Sequence, residues 1–101
     1  MSNSPLATRK FTLGEHSTQY IEVFVYLPVE DHGDYRCQYE IREQGKPVKK
    51  GHALGVDSLQ ALILALQKLG ADVAFSNYAK DQRLYWNDQN ADLGLLLPRG
   101  V

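Results

Sequence analysis

Hydrophobic and polar positions change period near the midpoint of this chain. Over residues 20 to 27, Ile21, Val23, Val25 and Leu27 share one face and Tyr20, Glu22, Phe24 and Tyr26 the other. That period of two predicts a strand with one face on a core, and Pro28 ends it. Residues 29 to 34 read as a loop in which Gly33 takes the positive φ of a tight reversal. Alternation then resumes over residues 35 to 43, with Tyr35, Cys37, Tyr39 and Ile41 inward and Arg36, Gln38, Glu40 and Arg42 outward. Upstream, Phe11 and Leu13 alternate with Lys10 and Thr12 in a short strand over residues 8 to 13. After a reversal at Gln44-Gly45-Lys46, residues 47 to 54 form a weaker strand, in which Gly51 marks a bulge.

From residue 59 the period lengthens. Leu59, Leu62, Ile63, Leu66, Leu69 and Val73 recur at steps of three and four, the stripe of an amphipathic helix. Val73 keeps phase with Leu66 and Leu69, so the helix is expected to pass through Gly70, at about 1 kcal/mol relative to Ala, and to end near Ser76 to Tyr78. Residues 83 to 86 and 93 to 97 suggest a hairpin around Asn87-Asp88-Gln89-Asn90, closed by Pro98. Together these predict an α+β fold: an antiparallel β-meander of four strands, one long amphipathic helix packed on the sheet, and a C-terminal β-hairpin. Residues 1 to 6 read as a disordered tail and residues 7 to 101 as a single domain. The expected core sets the helical stripe against Ile21, Val23, Val25, Leu27, Tyr35, Tyr39 and Ile41.

Charge narrows the function classes. Eleven basic and twelve acidic side chains leave a formal net charge of −1, which provides no global field toward nucleic acid or an anionic membrane. The single cysteine, Cys37, excludes an internal disulfide and fits a reducing compartment. No stretch approaches the ~18 apolar residues of a membrane span, and the first residues lack a secretory pattern, so a soluble cytoplasmic protein is expected.

Val56-Asp57-Ser58-Leu59-Gln60-Ala61 has the form of a helix start, with Asp57 as N-cap and Gln60 three residues on to reach back. Asp57-Ser58-Leu59 also resembles the motif on which acyl and peptidyl carrier proteins bear phosphopantetheine, with Ser58 at the attachment position. Carrier proteins are small acidic helical bundles, whereas the residues upstream of Ser58 alternate as strands and the charge is near zero. The β-rich first half, the Gly55-Val56-Asp57-Ser58-Leu59-Gln60-Ala61-Leu62 helix start, the Leu84-Tyr85-Trp86 strand and Asp92-Leu93-Gly94-Leu95 are similar to a group of small uncharacterised bacterial proteins. That resemblance implies a bacterial origin and a stand-alone domain, and it transfers no activity and no site residue.

His16, His32 and His52 lack the spacing of a metal clamp, so neither a metal nor any other cofactor is expected. Cys37 and His52 face each other if the strands flanking Gly45 pair in simple register, and they form the candidate catalytic pair. Tyr20, Phe24 and Tyr26 line the face opposite the core and form a candidate binding surface. Lys49 and Lys50 nearby raise the idea of stacked single-stranded nucleic acid, against which stand Glu22 and the near-neutral charge. The favoured expectation is a small non-catalytic interaction module, forming a homodimer or binding a protein partner through the aromatic face or an exposed strand edge. The alternative is a small enzyme or ligand-binding domain with a pocket near Cys37 and His52.

Overall fold

In the computed structural model, residues 4–86 and 94–95 are described. Six strands, β1 (Pro5–Leu13), β2 (Tyr20–Tyr26), β3 (Val29–Asp31), β4 (Asp34–Glu43), β5 (Lys46–Gly55) and β6 (Leu84–Tyr85), form one antiparallel sheet. Two helices, α1 (Ser58–Ala74) and α2 (Asn77–Lys80), lie between β5 and β6 in sequence. Across the sheet the order runs β6, β1, β2, β4, β5, with β3 continuing the line of β2 along β4.

The α+β class, the antiparallel sheet and a helix packed against it follow the alternation, but the strands number six instead of the four of the expected meander. Pro28, which has no N–H to give a ladder, interrupts β2, and pairing recovers at once in β3. The expected loop of residues 29 to 34 is therefore a hairpin, turned through His32 (φ 53°) and Gly33 (φ 90°), the two positive φ angles that suit the twist of the flanking strands. Gln44 and Gly45 turn β4 into β5 in the same way. β1 begins at Pro5, inside the expected tail. β6 pairs Leu84 with Leu13 and Tyr85 with Thr12. The expected second arm of the C-terminal hairpin, with its turn, lies outside the described residues apart from Gly94 and Leu95.

The bulge in β5 falls at Val48, not at Gly51. Arg42 pairs with Pro47 and Ile41 with Lys49, so Val48 is the extra residue, while Gly51 pairs regularly with Tyr39. Gly51 is instead required for space: a Cβ there would lie 2.4 Å from Tyr39 Cζ.

Asp57 caps α1, its carboxylate accepting from the Gln60 N–H at 2.7 Å, and the Gln60 side chain accepts from the Val56 N–H at 2.7 Å. The helix passes Gly70 and stops at Ala74, and Ser76 then caps the separate helix α2, so the helical part is divided. α1 lies chiefly over β4 and β5. Its buried face is Ala61, Ala65, Leu69, Gly70 and Val73 with Leu62 and Leu66 partly buried, whereas Leu59 (63% exposed) and Ile63 (42% exposed) leave the expected stripe. Close approach decides this: a Cβ on Gly55 would stand 2.4 Å from the Ala61 amide nitrogen, so the first turn of the helix rests on the strand through its smallest residues. Leu27 also leaves the expected core, at 65% exposure, because the alternation breaks at Pro28. The core proper gathers Phe11, Ile21, Val23, Val25, Cys37, Tyr39, Ile41 and Leu84 beneath α1. Each large side chain buried there contributes roughly 1.5–3 kcal/mol.

Candidate functional site

The Val48 bulge settles where Cys37 and His52 stand. Beyond it Cys37 pairs with Ala53 and His52 with Gln38, so the two candidates project from opposite faces of the sheet. Cys37 is fully buried, its thiol donating to the Tyr26 carbonyl at 3.3 Å, and burial pushes its pKa up, which disfavours a thiolate. His52 is exposed. His16 and His32 sit at positive φ in exposed turns beside Glu15 and Asp31, and among the described residues no group of three or more His, Cys, Asp and Glu side chains comes together.

Tyr20, Phe24 and Tyr26 do share the face opposite α1, where they are half-buried and already engaged. Lys10 lies over the Tyr20 ring, 4.4 Å from its centroid, and the Arg42 guanidinium over Phe24 at 4.7 Å. Between Arg42 and Tyr26 sits Glu40, only 5% exposed, accepting from Arg42 Nε at 2.9 Å and from the Tyr26 hydroxyl at 3.0 Å. Burial alone would raise its pKa, but these bonds outweigh burial and hold the carboxyl below its usual range. Burial and the bond to Glu40 push Tyr26 up. On this face cross-strand charge and aromatic contacts border a cleft of about 350 Å³ lined by Tyr26, Gln38, Glu40, Arg42 and Lys50.

The opposite margin of the sheet is different. Among the described residues no strand pairs with the outer edge of β5, although it is among the longest strands. In an antiparallel ladder, alternate residues direct both backbone groups to the same side. The His52 carbonyl accepts from Lys68 Nζ of α1 at 2.7 Å, outside the ladder with β4. Lys50, His52 and Leu54 therefore turn their N–H and C=O groups to the open edge.

Where α1 passes above this edge it leaves a groove. One cleft of about 360 Å³ is lined by Ala53, Leu54, Leu64, Gln67, Lys68 and Ala71. Toward the end of the helix a second, of about 460 Å³, shares Ala71, is lined by Val48, Lys49, Asp72 and Phe75, and runs inward to Ile21 of β2 and Ile41 of β4. Val48, Leu54, Leu64 and Phe75 are large apolar side chains exposed to water. Asp72 forms the floor of the second cleft, holding the Tyr39 hydroxyl and lying 3.6 Å from Lys49 Nζ. Burial, with the bond to Asp72 adding to it, raises the Tyr39 pKa. Lys68, Leu64, Ala71 and Phe75 were not among the site residues expected from the sequence. The run of lysines without an acid in residues 46 to 55 was the available signal.

No helix of the described residues is long and apolar enough to cross a membrane. No curated protein and no solved structure matches the chain. The family described as Domain of unknown function (DUF6968) matches residues 7–97, which span the meander, α1 and β6, and the chain belongs to that family.

Proposed function

We propose that the chain is a non-catalytic protein-interaction module that takes an extended segment of a partner as an added strand on β5. The observation that carries this reading is the conjunction of a strand edge with no partner strand among the described residues and an adjoining apolar groove under α1. Strand addition uses backbone hydrogen bonds for affinity and pockets for alternate side chains for selectivity, and the edge of β5 supplies both. The aromatic face offers less, since Tyr20, Phe24 and Tyr26 are occupied by Lys10, Arg42 and Glu40. Cys37 and His52 lie on opposite faces of the sheet, so this pair lends no support to the enzymatic alternative.

His52→Pro tests the proposal. The His52 N–H faces away from β4, so proline there removes an outward donor and leaves the β4–β5 ladder intact. Peptides selected from a random displayed library on the wild-type protein are expected to lose binding to His52→Pro while circular dichroism and the melting curve stay close to wild type. Shifts of the Lys50, His52 and Leu54 amide resonances should accompany binding to the wild type. Selected peptides that bind the folded variant equally well would defeat the strand-addition reading.

A further inference from the structure

We infer that the segment taken up by β5 is acidic, a stretch of partner protein rich in aspartate or glutamate; this rests on the strand-addition reading above. β5 carries Lys46, Lys49 and Lys50 and no acidic residue, and α1 sets Lys68 over the same edge. Of these lysines Lys49 is paired with Asp72 at 3.6 Å, and the acids near the others among the described residues are engaged with further partners. Asp72 holds the Tyr39 hydroxyl, Glu43 opposite Lys46 accepts from the Tyr78 hydroxyl, and Glu40 opposite Lys50 is bonded to Arg42 and Tyr26. The chain as a whole is −1, so this basic margin is a local segregation of charge and not the spill of a basic protein.

Lys68 provides the link between charge and strand addition. Its ammonium donates to the His52 carbonyl, the acceptor that an incoming N–H needs. A carboxylate on the arriving segment draws Lys68 off that carbonyl and frees the edge, whereas a neutral segment must displace the lysine uncompensated. The pleat sends every second side chain of the added strand toward α1, where Lys68 lines the cleft with Leu64 and Ala71, and the others toward the face of Lys50 and His52, so a carboxylate meets a lysine on either face. A second copy of this chain is disfavoured as occupant, because antiparallel pairing of two β5 strands about their middle sets Lys49 and Lys50 against His52 and Gly51 of the copy and supplies no carboxylate to draw Lys68 away.

The test uses fluorescence anisotropy with labelled extended peptides that share valine at alternate positions and carry Glu, Gln or Lys between them. The Glu peptide is expected to bind roughly tenfold or more tightly than the Gln peptide and to weaken as salt is added, with no binding of the Lys peptide. The preference for Glu should fall to about twofold in the Lys46→Gln/Lys50→Gln/Lys68→Gln variant, and His52→Pro should abolish binding of every peptide. Equal binding of Glu and Gln peptides, both lost in His52→Pro, would overturn the acidic assignment and leave strand addition standing. Glu-peptide binding retained in His52→Pro would overturn strand addition itself, leaving a contact of charge alone, and no binding by any peptide overturns both. Displacement of the Glu peptide by a single-stranded oligonucleotide of equal charge would assign the margin to nucleic acid. A dimer in sedimentation equilibrium that dissociates on His52→Pro would assign it to a second copy, and either result overturns the acidic segment.

Discussion

Tyr39 and Gly51 work as a unit. The Tyr39 ring crosses the cross-strand glycine to reach Asp72 on α1, and its path exists only because residue 51 has no side chain. Gly51→Ala is accordingly expected to destabilise the protein by about 1–3 kcal/mol, the usual cost of overpacking a filled site. The same substitution made in a Tyr39→Leu background should cost less, since the clash is then absent. Urea denaturation of the four proteins measures this, and additive costs would mean that the ring and the glycine do not interact. At this scale the sequence was misleading: a glycine within a strand suggests a bulge, yet here the ladder is regular at Gly51 and irregular at Val48.

For α1, the question is which face meets the sheet. Hydrophobicity favours the leucine stripe, and in the folded chain the face rotates until Ala61 and Ala65 touch the strands, with Leu59 and Ile63 at the margin. Small residues permit the helix backbone to approach Gly55, and that proximity brings Leu69 and Val73 fully under cover. Ala65→Leu should therefore cost about 1–3 kcal/mol, and Leu59→Ser should change stability by no more than about 0.5 kcal/mol. Thermal melts of the two variants distinguish the faces; a large loss at Leu59 with tolerance at Ala65 would restore the leucine stripe as the buried one.

Over the whole molecule, two polar ties, one on each face of the sheet, contribute to the response to pH. Glu40, on the face opposite α1, has a folded pKa below its unfolded value, so its contribution is present above the ordinary glutamate range and is lost as pH falls through the lower folded value. Tyr39, beneath α1, has a folded pKa raised by burial and by Asp72. Its contribution is complete below the ordinary tyrosine value of about 10 and is lost as pH rises through the higher folded one. Stability should thus hold a plateau near neutrality and fall on both sides. Glu40→Gln should flatten the acid limb and Tyr39→Phe the alkaline limb, each read from urea midpoints against pH; an unchanged limb would show that the corresponding tie carries no linkage. The third global feature is the division of the sheet margins. One ends in the two-residue β6 beside β1, and the other ends in β5 with its lysines and the groove under α1.

Local chemistry alone determined a good part of this protein. Period-two runs placed β2 and β4, the Gln44-Gly45 and Gly33 reversals joined them to their neighbours, and Asp57 with Gln60 located the start of α1. Each of these depends on residues close together in the chain, so sequence spacing carries the information. What depended on distance in space was decided by tertiary structure. One extra residue at Val48 turned His52 away from Cys37, and a few small side chains rotated α1 by settling how near it comes to β5. The lysines of β5 were visible as composition, but their standing beneath Lys68, on an edge with no partner strand among the described residues, was not. Edge position and the neighbour across a groove are properties of the packed sheet, and no local pattern in the chain encodes them.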